Sequence, residues 1–125
     1  MILDTNALSA LAAKDPHLRE KIAPVSHIAV TLISLGEYQF GLLNSSYRKE
    51  LEVWLNSLLS KIDLIQPSRQ TLPHYAAIRH ELKAAGTPIP ANDVWIAALV
   101  RQHRMPLVSR DQHFDRVIGI DHIGW

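Results

Sequence analysis

His27-Ile28-Ala29-Val30-Thr31-Leu32-Ile33-Ser34-Leu35-Gly36-Glu37 changes character part-way along. Its first part, His27 to Val30, carries the β-branched Ile28 and Val30 and reads as a short strand. Thr31 or Ser34 then offers a hydroxyl of the kind that caps a helix. The helix that follows carries Glu37, Tyr38 and Phe40 towards Asn44. A strand thus passes directly into a helix that bears an acid in its first turns.

The same unit recurs outward in both directions. Ile2-Leu3 is a short buried strand ended by Asp4, and Thr5 or Asn6 caps a helix through about Lys14. Pro16 opens a second helix, His17 to Ala23, which Pro24 breaks. Downstream, Leu51, Trp54, Leu55, Leu58 and Leu59 recur at helical spacing between Tyr47 and Leu59. Ile62 to Ile65 is a strand closed by Pro67. Arg69 to Ala85 reads as a long helix with Gly86 as its stop, and Pro88 and Pro90 beyond. Asn92 caps a helix from Asp93 to about His103, and its centre, Val94 to Val100, is apolar on all sides and therefore predicted to be buried. Leu107 to Ser109 is a strand, a turn holds Asp111 to Asp115, and a last strand lies near Ile118 to Ile123. Strands alternating with helices predict an α/β fold with a mostly parallel sheet covered on both faces. Ligands of such sheets bind beyond the carboxyl ends of the strands.

Composition narrows the function. The 125 residues suit one domain, residues 1–125, with 47% hydrophobic and 20% charged residues in a globular balance. A net charge of +1 gives no general polycation, so any nucleic-acid site must come from local clusters of Arg and Lys. The absence of cysteine excludes disulfides, thiol catalysis and cysteine zinc sites. The acid at position 4 and the lack of a basic leader argue against a signal peptide, and the apolar run Val94 to Val100 is too short to span a bilayer. A soluble cytoplasmic protein is expected.

Asp4, Glu37 and Asp111 follow three different strands, and Asp93 points out of an otherwise apolar helix. Taken singly, each has a structural explanation. Asp4 can cap the first helix. Ser34-Leu35-Gly36-Glu37 matches a capping box. Asp93 suits a helix dipole, and Asp111 suits a turn. Collected together they cannot all ionise without a cation. A hard dication such as Mg²⁺ or Mn²⁺ accepts oxygen ligands of this kind. No His-x-His or His-Glu-x-x-His motif points to zinc.

Four stretches in order resemble a known family. Ile2-Leu3-Asp4-Thr5-Asn6 resembles the opening of PIN-domain ribonucleases, especially VapC-like toxins of type II toxin–antitoxin pairs. Thr31-Leu32-Ile33-Ser34-Leu35-Gly36-Glu37-Tyr38, Pro90-Ala91-Asn92-Asp93-Val94-Trp95-Ile96-Ala97-Ala98 and Leu107-Val108-Ser109-Arg110-Asp111-Gln112-His113-Phe114 resemble the later motifs. Tyr38 stands where Leu is commoner, a change of packing rather than chemistry. The resemblance implies a PIN-like three-layer α/β/α sandwich. It implies that Asp4, Glu37, Asp93 and Asp111 surround Mg²⁺ or Mn²⁺ and cleave RNA, inhibiting translation. It also implies a homodimer and a cognate VapB-like antitoxin, through which alone operator DNA would be bound.

On this basis Asp4, Asp93 and Asp111 are expected to hold the metal. Glu37 is expected to orient or deprotonate the attacking water, leaving a 5′-phosphate and a 3′-hydroxyl. Asp115 is an outer alternative to Asp111. Asn6 and Ser109 are expected to hydrogen-bond the carboxylates or metal waters. Arg101, Arg104, Arg110 and Arg116 are candidate RNA contacts. His113 could lie near the site, though a lone histidine is more often structural, and Trp54 and Trp95 read as core rather than as base-stacking platforms. Two other classes compete. A degenerate PIN fold could serve only as an RNA- or protein-binding module, though all four acids are present. An Asp-dependent phosphatase would want a second acid two residues after Asp4, where Asn6 stands.

Overall fold

The computed structural model describes residues 1–125. Five strands form the sheet: β1 (Ile2–Leu3), β2 (Ala29–Thr31), β3 (Asp63–Ile65), β4 (Leu107–Val108) and β5 (His122–Ile123). Six α-helices surround it: α1 (Thr5–Ala12), α2 (Pro16–Ile22), α3 (Leu32–Leu42), α4 (Arg48–Leu59), α5 (Leu72–Ala84) and α6 (Ala91–His103). Single 3-10 turns occupy Arg69–Thr71 and Gln112–Arg116.

The sheet order is β3-β2-β1-β4-β5, and all pairings are parallel. Strand residues alternate between two cores. Ile2, Ala29 and Leu107 face a core built with Ile78 and Leu82 of α5 and Ile96 to Val100 of α6. Leu3, Val30 and Val108 face a second core built with Ala7, Leu8, Leu18, Leu35, Tyr38 and Leu55 from α1 to α4. The result is the expected three-layer sandwich, and double-sided burial explains why the central strands β1 and β4 are wholly apolar.

The chain winds outward from β1 through β2 to β3, then returns across the sheet to place β4 on the other side of β1. The strand order therefore reverses between β1 and β4, and a crevice at such a reversal is where open α/β sheets receive ligands. Asp4 follows β1, and Ser109 with Asp111 follows β4.

Most element boundaries lie within a residue or two of expectation, with local causes where they differ. The α1 cap position is Asp4, rather than Thr5 or Asn6, and the helix stops before Lys14, which adopts φ 59°. Thr31, not Ser34, caps α3, its hydroxyl accepting from the Ser34 N–H. The predicted long helix from Arg69 begins as a 3-10 turn held by reciprocal bonds between Ser68 and Thr71. Gly86 ends α5 at φ 71°, a conformation that costs glycine little. Helix α6 starts at Ala91 with Pro90 in the cap position, so Asn92 lies inside its first turn. No helix is long and apolar enough to cross a membrane.

Candidate active site

Asp4 sits at the head of α1 but does not cap it; its side chain makes no cap bond to that helix. Instead the Ser34 hydroxyl donates to Asp4 Oδ1 at 3.1 Å and the Ser109 hydroxyl donates to Oδ2 at 2.8 Å. With both oxygens engaged and 4% exposure, Asp4 is poorly placed to act as the free nucleophile a phosphatase needs. Ser109 Oγ also accepts from the Asp111 N–H at 3.0 Å and from Asn6 Nδ2 at 3.3 Å. One donation and two acceptances saturate a hydroxyl. Ser109 is therefore a fixed tie between the β1 and β4 ends. Asn6 completes it by accepting the Arg110 N–H at 3.1 Å.

Glu37 is free of the capping box its sequence suggests, because Thr31 caps α3 in its place. Its carboxylate instead accepts from Thr5 Oγ1 at 3.1 Å and from Asn92 Nδ2 at 3.0 Å. Those donors are the chain neighbours of Asp4 and Asp93. Glu37 is therefore tied to the residues that adjoin Asp4 and Asp93 in the chain.

Asp93 and Asp111 converge with His113. Their ligand-type atoms, one from each residue, all lie within 4.8 Å of one another. His113 Nδ1 is 2.8 Å from Asp93 Oδ2 and 3.1 Å from Asp111 Oδ1. Asp111 also accepts the His113 N–H at 2.9 Å, so it does have the turn role its sequence suggested, in addition to facing Asp93. Burial pushes the Asp93 carboxyl above the usual carboxylate range; the charges of Asp111 and Asp4 push the same way, and His113 pulls against them. A buried acid beside other acids is a site where a cation relieves repulsion. The oxygen-rich donor set fits a hard dication.

Asp115 does not join this group. It contacts His122 Nδ1 at 2.7 Å, and His122 Nε2 lies 2.8 Å from the Ser109 carbonyl. Its place is thus outside the acids, behind the β4 end. Of the two roles the sequence leaves open for His113, the structure places it near the acids, facing two of them. The Asp111-x-His113 spacing in a tight turn is the one local signal that could have flagged it.

The arginines separate into two pairs. Arg110 follows Ser109 and lies over the Trp125 ring at 4.4 Å, with its guanidinium 3.4 Å from Asp15. Arg116 donates to the Pro88 carbonyl at 3.2 Å, in the loop before α6. Arg101 and Arg104, by contrast, line a hollow with Pro106 and Asp121, at the amino ends of β4 and β5. That is the edge opposite the acids. Arg101 is further committed to Glu81, at 3.0 and 3.2 Å, and to the Ile118 carbonyl. Helix α6 carries both along its length away from Asp93. Trp54 packs on the core as expected. Trp95 is half-buried, stacks on Tyr75 at 4.1 Å, and lines an open groove of about 660 Å³ that reaches Glu37 and Asn92.

Fold and site together define a three-layer parallel α/β protein with a carboxylate cluster where its strand order reverses. Residues 1–120 match the PIN domain model, and the chain belongs to that family. It is 28% identical to Ribonuclease VapC2 of Rickettsia felis, over 99% of this chain and 96% of the relative. It is 26% identical to the tRNA(fMet)-specific endonuclease VapC of Salmonella typhimurium, with the same coverages. Among solved structures it is similar to VapBC2 of Rickettsia felis bound to a DNA fragment from the promoter, with a TM-score of 0.86, 27% identity, and 99% and 97% of the two chains covered.

Proposed function

We propose that this chain, as one domain over residues 1–125, is a divalent-metal-dependent endoribonuclease of the VapC type. Its activity would inhibit translation in the cytoplasm. The observation that carries this reading is the convergence of the buried Asp93 with the partly exposed Asp111 and His113, with the charges of Asp111 and Asp4 both acting on Asp93. Names of the relatives support the ribonuclease class.

Asp4, Asp93 and Asp111 would hold Mg²⁺ or Mn²⁺. A bound dication supplies Lewis-acid chemistry, offsetting charge on the phosphate and making water a better nucleophile. Glu37 borders the cluster with only two hydrogen bonds on its four lone-pair directions. It is the group free to orient the attacking water and accept its proton. Thr5 and Asn92 hold its carboxylate in place. Ser34 and Ser109 hold Asp4 in one rotamer. Attack by water gives a 5′-phosphate and a 3′-hydroxyl. Arg110 and Arg116, near the acid edge, would grip the RNA backbone.

The partner would be a VapB-like antitoxin, since the similar Rickettsia structure is a VapBC complex on DNA. Operator binding would then come through that antitoxin, and the chain would act as a homodimer. The test is to induce the chain with and without the antitoxin gene and map RNA ends. Discrete cuts with 5′-phosphates, lost with Asp93→Asn and in EDTA, are expected. A 2′,3′-cyclic phosphate product, or cleavage that persists in EDTA, would overturn the proposal.

A further inference from the structure

His113 is not among the four acids, yet its ring is aimed at two of them. Its Nδ1 contacts one oxygen of Asp93 at 2.8 Å and one oxygen of Asp111 at 3.1 Å. A single N–H shared between two acceptors makes a three-centre bond that is weaker towards each. Two carboxylates around one ring nitrogen also match the ligand shell of a cation. The spacing fits a common cation: adjacent ligands of an octahedral ion with bonds of about 2.1 Å stand about 3.0 Å apart.

The backbone holds the ring in that position. Asp111 caps the 3-10 turn and accepts the His113 N–H at 2.9 Å, which brings the Asp111 carboxylate and the imidazole to the same side. Phe114, 1% exposed, anchors the turn in the core immediately after His113. Asp93 comes from the first turn of α6 and meets them from the opposite side. The side chain of His113 is 38% exposed, so Nε2 can keep its hydrogen towards water while Nδ1 presents a lone pair.

Resting on the metal-centre reading above, we propose that His113 Nδ1 is a ligand of the bound dication beside Asp93 and Asp111, and that this nitrogen makes the centre favour Mn²⁺ over Mg²⁺. An all-oxygen site suits both ions. Imidazole binds transition ions better than it binds Mg²⁺, which dehydrates reluctantly and keeps oxygen ligands. The His113 position thus determines ion choice, and Glu37 keeps its separate role towards water.

The experiment loads the wild-type chain with Mn²⁺ alone and records pulsed EPR, then repeats it with ¹⁵N-histidine-labelled protein. Nuclear modulation from a directly bound nitrogen is expected, changing its pattern with the isotope. His113→Gln, with its fold checked by circular dichroism, should lose that modulation. Its Kd for Mn²⁺ should rise by about tenfold or more, while its Kd for Mg²⁺ changes by less than about threefold. Bound Mn²⁺ without nitrogen modulation overturns the proposal, as do equal losses for both ions, the mark of a residue that merely orients Asp93. If that nitrogen-free binding is still lost in Asp93→Asn, the acid centre stands and only the role of His113 fails. Absence of Mn²⁺ binding by the wild type overturns both.

Discussion

Replacing Asp93 with Asn is expected to stabilise the metal-free protein while abolishing its function. Asp93 and Asp111 present oxygens no more than 4.8 Å apart. Two unit charges at that separation repel by about 0.9 kcal/mol with water-like screening and about 3.5 kcal/mol at an effective dielectric of about 20. The Asp93 side chain is 12% exposed and that of Asp111 33%, so screening lies between these limits. His113 offsets part of the repulsion, and Asp4 adds to it. A net gain of about 1–2 kcal/mol follows for Asp93→Asn. For a chain of this length, unfolding entropy near 2.1 cal/mol/K per residue converts that to a rise in Tm of about 4–8 °C. Thermal melts in EDTA at pH 7.5 measure it. Saturating Mn²⁺ should invert the order, because an ion at 100 times its Kd adds about 2.7 kcal/mol to a protein that binds it. The variant should gain little. The pH profile carries the same sign. Raising the folded pKa of Asp93 above its unfolded value makes the native state bind the proton more tightly. Wild-type stability in EDTA should therefore fall as pH rises from the unfolded value through the raised folded one, a slope absent from Asp93→Asn. Equal melting temperatures in EDTA, or no inversion with metal, would refute the repulsion on which the site rests.

Glu37→Gln should lower RNA cleavage by about 10²-fold or more while leaving Mn²⁺ affinity nearly unchanged, as measured by single-turnover kinetics and metal titration. Ser109→Ala removes a hydroxyl donor from the buried Asp4 carboxylate and should cost about 1–3 kcal/mol in denaturant unfolding. Arg110→Ala and Arg116→Ala should each weaken binding to a catalytically dead protein and reduce its salt dependence, by a slope of about 0.7 for each lost phosphate contact on a single strand. Arg104→Ala, at the far edge of the sheet, should leave RNA binding unchanged in the same fluorescence titration.

Legibility in the sequence followed how local each cause is. The all-round apolar centre of α6 announced its own burial, and the alternation of strands and helices announced a parallel sheet, because periodicity and burial are properties of contiguous residues. Cap assignments were less legible. Thr31 and Ser34 both carry suitable hydroxyls, and only the tertiary placement of Asp4 decides that Ser34 is needed elsewhere. The capping-box pattern at Glu37 does not form, because Thr31 is the cap and Ser34 lies inside α3, leaving the Glu37 carboxylate to Thr5 and Asn92. Proximity along the chain is not proximity in space for Arg101 and Arg104. They follow the Asp93 motif closely, but at about 1.5 Å of rise per residue a helix carries them roughly 12 and 16 Å away. His113 was the converse case: its partner Asp93 is 20 positions distant, and only the packing of the last 3-10 turn against α6 brings them together.

The placement of the acids itself separates a functional cluster from a structural one. A fold optimised only for stability would let Asp4 cap α1, let Glu37 close its capping box, and keep Asp93 in solvent at the end of α6. Instead Asp4 is turned from its helix towards two serines, Glu37 is held by donors from α1 and α6, and Asp93 is buried against other acids. Each displacement forgoes a local stabilising contact. Asp4 and Asp111 lie at the β1–β4 reversal itself. Local rules broken together at one place are the pattern expected of a functional site.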